Sequence, residues 1–318
     1  MEQQGIKNWI PFKLDFRENS ILCKWVHLAD KQFIEPFFQD TVSICSVFEE
    51  NKKIYKSAST LEGLITLAES LPEVKPTAFV FHVSRCGSTL LSQLLALDSQ
   101  NVVISEAPIL DDVLRELRFS NENFTDRCLD EVFKAVVKFL GQKRTEIQNH
   151  FIVKLDSWHI FYVDILRKLY PDVPFVFSYR QPDEVINSHL KERGMHMVAG
   201  LIQPELFGFE FQKSIELSPA EFITKVLERY FEEIHAFVKK DSNCVLLDYG
   251  DGVWQNFEKM CGYLKLELPK EVKLKAQERL KYHSKRPSLT FDEDKVVREL
   301  DNSQQKLMEL FDRLNDCK

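Results

Sequence analysis

The sequence predicts an α/β fold: a central parallel sheet with helices on both faces, preceded by an N-terminal extension. Three observations carry this. Short runs of β-branched and aromatic residues recur at 76–83, 102–105, 151–155, 175–179 and 244–249, each nearly continuously apolar, as strands buried on both faces are. Helical patterns separate them, which implies right-handed βαβ crossovers. The junctions after Val83 and after Tyr179 carry residue types that hold anions.

Composition narrows the function. The 318 residues are 44% apolar, enough for one large α/β domain or two small ones, and the net charge is 42 minus 49, or −7. Without a block of lysine and arginine, neither nucleic acid nor an anionic membrane surface is an expected partner, and polyanionic substrates are disfavoured. Residues 1–12 lack the apolar core of a signal peptide, and no stretch approaches eighteen uninterrupted apolar residues. A cytoplasmic location is the expectation. Seven widely spaced cysteines without a C-x-x-C pair read as reduced thiols and not as a zinc site, and no metal is expected.

In chain order, residues 1–75 hold aromatic pieces at 25–28 and 33–38, then an amphipathic helix over 60–71 that stops at Pro72; this extension carries no legible motif. The stretch 71–77 is the longest plausible linker, and residues 76–318 form the α/β domain. Helices are predicted over 88–97, 109–118, 126–140, 156–170 and 182–193. Ser218-Pro219-Ala220-Glu221 has the form of a capping box with proline at the first helical position, opening a helix to about Lys239, and Asp292 is a candidate cap for a last helix through Leu314.

The segment 79–95, F-V-F-H-V-S-R-C-G-S-T-L-L-S-Q-L-L, reads as strand, tight loop and helix. Such a loop offers unpaired backbone amides, here from Cys86 to Leu90, at the positive end of the helix dipole. Gly87 lets the backbone close on an oxygen, Ser88 and Thr89 add hydroxyls, and Arg85 adds a forked cation. A Walker A loop is excluded in its usual form, because His82 stands at its first glycine and Ser88 at its lysine. A tyrosine-phosphatase loop is excluded too, since Ser92 falls where its arginine belongs. The second junction, 175–189, F-V-F-S-Y-R-Q-P-D-E-V-I-N-S-H, sets Arg180 at a strand end and Ser188 about two helical turns on, where both can meet one anion.

S-R-C-G-S-T-L-L resembles the 5′-phosphosulfate loop of sulfotransferases that use 3′-phosphoadenosine 5′-phosphosulfate (PAPS), commonly P-[KR]-S-G-T-T, with Ser84 for proline and Cys86 for serine. The second segment resembles that family's 3′-phosphate motif, R-[ND]-P-R-D-x-x-x-S, with Gln181 and Asp183 departing from it. The resemblance is closest in layout to tyrosylprotein-type and bacterial sulfotransferases and covers about residues 76–190. It implies a P-loop-containing α/β fold and transfer of a sulfuryl group from PAPS to a hydroxyl of an unidentified acceptor, releasing PAP (3′-phosphoadenosine 5′-phosphate), without a metal.

Such a displacement needs positioning, charge stabilisation and a base. Glu106, twenty-one residues after Arg85 at the end of V-V-I-S, resembles the family's catalytic glutamate. Lys154 ends the third apolar run and resembles the lysine that stabilises charge on the leaving phosphate. His159 is the rival base, expected one turn inside the helix after that run; Glu106 is preferred. Asp156 or Ser157 reads as a cap of that helix, and His82 and His189 as packing or ligand contacts. Near the C-terminus K-Y-H-S-K-R-P supplies Ser284 and Lys285, with His283 and Arg286, as further 3′-phosphate candidates or as a solvated basic loop. An atypical P-loop kinase or nucleotide hydrolase, and a catalytically silent nucleotide-binding module, remain the alternatives.

Overall fold

In the computed structural model, which describes residues 5–18, 20–52, 57–120, 124–282, 284 and 302–318, the N-terminal segment forms an antiparallel sheet of its own. Its strands β1 (Trp9–Arg17), β2 (Ser20–His27) and β3 (Ala58–Ser59) lie in that order. Ile10 and Leu14 of β1 and Cys23 and Trp25 of β2 are buried, across a register shift between Pro11 and Lys13. That shift breaks the period-2 pattern, so the hairpin is not legible as alternation in the sequence. Helix α1 (Phe38–Cys45) follows, then α2 (Leu61–Glu69), whose N-cap Thr60 accepts the Gly63 amide through Oγ1 at 3.1 Å.

The stretch 71–77 is not a linker. Leu71 and Val74 are buried, the Val74 amide donates to the Gly141 carbonyl at 2.8 Å, and the Lys143 amide donates to the Pro72 carbonyl at 3.0 Å. Two aliphatic side chains and a paired backbone hold it down, against the expectation from its proline and charge content.

The larger sheet is built from β4 (Pro76–His82), β5 (Asn101–Ser105), β6 (His150–Lys154), β7 (Phe175–Tyr179) and β8 (Cys244–Asp248), in the order β5-β6-β4-β7-β8. Its β5:β6 and β7:β8 ladders are parallel, Ser105 opposite Lys154 and Tyr179 opposite Asp248. All five strands fall on the apolar runs. The flanking helices are α3 (Ser88–Leu95), α4 (Pro108–Asp111), α5 (Leu117–Ser120), α6 (Asp126–Leu140), α7 (Val163–Leu169), α8 (Pro182–Lys191), α9 (Phe211–Ile215), α10 (Pro219–Val238), α11 (Val253–Tyr263), α12 (Lys270–Arg279) and α13 (Asn302–Asn315). The capping box of α10 forms as read: Ser218 Oγ accepts the Glu221 amide at 3.3 Å and Glu221 accepts the Ser218 amide at 2.8 Å. The cap read at Asp292 lies outside the described residues.

Two predicted helices change character. Residues 109–118 are interrupted by a π-helical turn, Asp112–Glu116. The helix expected over 156–170 opens as a 3₁₀ helix, Ser157–Tyr162, so His159 sits in 3₁₀ and not α geometry. That turn packs Ser157, Trp158, His159, Ile160 and Tyr162 all inward, more than one face of an α-helix would allow.

The chain divides into two compact units: residues 1–79 with 92–156 and 268–276, and residues 80–91 with 157–267 and 277–318. In the first, β1 packs on α4 and α6, and Trp25 meets Phe139 edge-on at 4.6 Å while its indole N–H donates to Ser59 Oγ at 3.0 Å. In the second, phenylalanines stack: Phe81 on Phe177 at 5.1 Å and Phe175 on Phe237 at 5.6 Å, with the Arg167 guanidinium 3.8 Å over the Phe175 ring.

Candidate active site

The chain leaves β4 for one side of the sheet and leaves β7 for the other, so the strand order switches between these two strands. In open α/β sheets ligands bind at the carboxyl ends beside such a point. Both anion motifs emerge there, and both lie in the second unit.

After β4 the backbone turns left-handed at Ser84 (φ +71°), Arg85 (+52°) and Gly87 (+76°). Left-handed non-glycine residues cost roughly 1–2 kcal/mol each and gather where a loop is held for function. Proline, with φ fixed near −65°, could not stand at Ser84, so the departure from the motif's proline matches the path of this loop. The bends let α3 begin at Ser88, and the amides of Ser88, Thr89 and Leu90 have no carbonyl of their own helix to meet. Ser88 and Thr89 are buried at 4% and 9% exposure, so an anion held by their hydroxyls would be largely shielded from water. Cys86 is 2% exposed, its thiol donating to the Ser178 carbonyl at 3.2 Å while Ser178 Oγ donates to the Cys86 carbonyl at 3.1 Å. Burial alone would push that thiol up, but its hydrogen bonds with His82, Ser178 and the Ser88 backbone outweigh it and hold it below the usual cysteine range. His82 is itself fixed, Nδ1 accepting the Ser84 amide at 3.1 Å and lying 3.3 Å from Ser157 Oγ.

The arginines bridge the two motifs. Arg180 donates through Nη1 to the Arg85 carbonyl at 3.3 Å and through Nε to Glu184 at 2.7 Å, and its guanidinium lies 4.3 Å over the Tyr249 ring. Arg85 donates to the Glu192 carbonyl at 2.5 Å. A Cβ on Gly87 would come within 2.9 Å of the Tyr249 ring, so this position requires glycine for its left-handed φ and for the aromatic neighbour alike. Ser188, on α8, reaches the second turn after Arg180. Sequence reading missed Tyr249 and Glu192. The first was legible in part, because the fifth apolar run ends on it; the strand stops at Asp248, and Tyr249 opens a 3₁₀ turn at the sheet's carboxyl edge.

The proposed reacting groups lie in the first unit. Parallel pairing sets Lys154 opposite Ser105, and the Glu106 amide donates to the Lys154 carbonyl at 2.8 Å. Glu106 turns left-handed (φ +52°) at the strand end, and Lys154 Nζ donates to its carboxylate. The lysine side chain is fully buried and the glutamate's is 23% exposed, which makes Glu106 the face of the pair that solvent or substrate can reach. Lys154 Nζ also lies 5.8 Å from the centre of the Phe37 ring. Next to the pair, desolvation and the neighbouring carboxylates of Glu106 and Asp111 push Asp156 well above the ordinary carboxylate range. Sequence reading gave Asp156 only a capping role.

His159 is fully buried in an aromatic nest, its ring 5.8 Å from Trp158 and 6.1 Å from Tyr162. His189, also buried, accepts the Gly194 amide through Nδ1 at 3.2 Å. Ser284 accepts from Arg279 through its carbonyl at 3.1 Å. Lys285, His283 and Arg286 lie outside the described residues. No helix among the described residues is long and apolar enough to cross a membrane, and no group of three or more His, Cys, Asp or Glu among them is placed to hold a metal ion.

A sequence model described as "Sulfotransferase family" matches residues 76–269, more than half of the chain. No curated protein sequence matches it. Among solved structures, the sulfotransferase domain of the Synechococcus PCC 7002 olefin synthase is similar at 17% identity and TM-score 0.50, over 78% of this chain and 97% of that one. The sulfotransferase domain from the curacin biosynthetic pathway is similar at 16% identity and TM-score 0.48, over 77% and 98%. A mouse sulfotransferase complexed with PAP is similar at 12% identity and TM-score 0.37, over 71% and 72%. The fold, a central five-stranded parallel sheet flanked by helices, and the family match agree: the chain belongs to the sulfotransferase family.

Proposed function

We propose that this protein transfers a sulfuryl group from PAPS to a hydroxyl of an acceptor and releases PAP. The observation that supports the reading is that the loop of 84–90 and Arg180 lie in one unit, the Arg180 guanidinium bonding the loop's own Arg85 carbonyl. A nucleotide with two separate phosphate groups suits such a pair, and Ser88 at the Walker lysine position argues against γ-phosphoryl transfer.

PAPS brings a sulfuryl group on a phosphate leaving group. The amides of Cys86 to Leu90, with Arg85, Ser88 and Thr89, hold the 5′-phosphosulfate; Arg180 and Ser188 hold the 3′-phosphate, and Ser284 and Lys285 add to it from the late segment. Glu106 takes the acceptor hydroxyl's proton as the acceptor oxygen bonds to sulfur. The bond between sulfur and the bridging oxygen breaks, its electron pair leaving with PAP, where the Lys154 ammonium offsets the developing charge. His159, without a solvent-facing atom, suits packing better than proton transfer. The acceptor is a hydroxylated compound, no metal takes part, and a reducing compartment such as the cytoplasm suits the scattered thiols.

A thermal-shift titration with PAP, adenosine 5′-phosphosulfate, and ATP or GTP with magnesium tests this. PAP at a hundred times its Kd should stabilise the fold by about 2.7 kcal/mol through mass action, and Arg180→Ala should weaken PAP far more than adenosine 5′-phosphosulfate, which lacks the 3′-phosphate. Stabilisation by ATP with magnesium and none by PAP would sink the proposal in favour of a kinase or hydrolase.

A further inference from the structure

Helix α13 lies beyond the residues that match the family model, yet its end meets the two strands beside the candidate donor site. Leu307, Leu310, Phe311 and Leu314 recur at helical spacing and are buried, and α13 packs on α10, with the Phe311 ring 6.1 Å from Phe231 and 5.8 Å from Tyr179. At the end of the helix the contacts turn polar. The hydroxyl of Tyr179, the last residue of β7, donates to Asn315 Oδ1 at 2.7 Å. Lys318 Nζ donates to Asp248, the last residue of β8, at 3.1 Å and to Asp251 at 2.8 Å.

Those two aspartates bracket the turn that presents Tyr249. Asp248 shapes it, Oδ1 accepting the Gly250 amide at 2.9 Å while Oδ2 takes the lysine, and the Asn256 side chain donates to the Asp248 carbonyl at 2.6 Å. The Tyr249 ring in turn lies under the Arg180 guanidinium and against Gly87, and so touches both anion motifs. The Asp248 side chain is only 10% exposed, and water screens its charge poorly.

We infer that Lys318 is a positioning residue for the donor nucleotide, holding the 248–251 turn and offsetting its charge so that Tyr249 keeps Arg180 and the 84–90 loop in place for an anion. The inference rests on the sulfuryl-transfer reading. Without the ammonium the turn is one charge more negative beside a site built for phosphate groups, and like charges repel. Lys318 acts through the two aspartates and Tyr249. Lys306, on the same helix, is the control: it pairs with Glu232 at 2.9 Å and Glu228 at 3.5 Å on α10, and so helps hold α13 without touching the turn.

Calorimetric titration of the full chain with PAP, alongside the thermal midpoint of each unliganded variant, tests this. Lys318→Ala should raise the PAP Kd about three- to tenfold, the scale of one or two partly screened charge interactions. Lys318→Arg should stay within about twofold of the unmodified chain on the same scale. Adding Asp251→Asn to Lys318→Ala restores the net charge of the turn and should recover most of the affinity, and Lys306→Ala should lower the thermal midpoint while leaving the PAP Kd unchanged. An unchanged Kd in Lys318→Ala, an equal rise in Lys306→Ala, or a loss that Asp251→Asn leaves as large would each overturn the inference. Absence of PAP binding by the unmodified chain would instead remove the donor reading, and this inference with it.

Discussion

A carboxylate and an ammonium that share a site do not respond alike to the loss of the other. Lys154 is fully buried and Glu106 is partly exposed, so Glu106→Gln strands a charge without water, while Lys154→Met leaves a carboxylate that solvent can reach. Urea denaturation should show Glu106→Gln destabilised by roughly 3–5 kcal/mol, the scale for breaking a buried pair, and Lys154→Met by clearly less; equal losses would contradict the buried geometry. Glu106→Gln should also lower kcat by roughly 10²-fold or more, as for loss of a general base, with PAP affinity nearly intact. At Gly87, alanine would have to hold a left-handed φ and push into the Tyr249 ring. Its expected cost is roughly 1–2 kcal/mol from the backbone alone, with PAP binding weakened as the loop shifts; wild-type PAP affinity in Gly87→Ala would show that the loop tolerates the change. Gly87 and Arg180 were legible in the sequence because loop and cation types are set by local chemistry. The contact that joins them to Tyr249 was not, since no local pattern specifies which ring packs on a glycine.

At the scale of elements, the π-helical turn 112–116 turns a polar residue inward. Asp112 Oδ2 accepts the Leu14 amide of β1 at 2.7 Å, yet burial, with Asp111 and Glu116 nearby, raises its carboxyl from the ordinary 3.8 to about 6. A folded-state pKa above the unfolded one means the native protein binds more protons between about pH 4 and pH 6, so stability falls as pH rises through that window and stays lower above it. At about 1.4 kcal/mol per pKa unit, the cost at neutral pH is about 3 kcal/mol. Asp112→Asn keeps an oxygen for the Leu14 amide and removes the charge. Thermal midpoints of Asp112→Asn measured from pH 4 to 8 should therefore be higher than wild type at pH 7.5 and fall less steeply across the window, and an Asp112→Asn curve parallel to wild type would rule this out. The helix pattern at 109–118 showed that an element stood there. The extra residue in the turn was hidden, because α and π periodicities differ too little over one turn to be read from apolar spacing.

Over the whole molecule, the N-terminal segment is part of the first unit's core. Ile10, Leu14 and Trp25 are buried, β1 packs on α4 and α6, and the Asn8 amide donates to Gln142 Oε1 at 2.6 Å. A chain that starts at residue 76 would expose the faces of α4 and α6 that the hairpin covers. It should lack near-UV circular dichroism and a cooperative thermal transition; a cooperative melt from residues 76–318 alone would show that the segment is dispensable for folding. The two βα units and the residue types at their strand-to-helix junctions were determined by the sequence itself. Buried parallel strands are written as continuous apolar runs, and a phosphate loop is written as glycine, hydroxyl and cation at a strand-to-helix junction, all within a few residues. Only the tertiary structure decided that Lys154 is sealed and bonded to Glu106, that Tyr249 lies on Arg180, and that Phe37 faces Lys154. Those contacts join residues from distant parts of the chain, and their selection depends on how strand register and helix packing fill space, which no local pattern encodes.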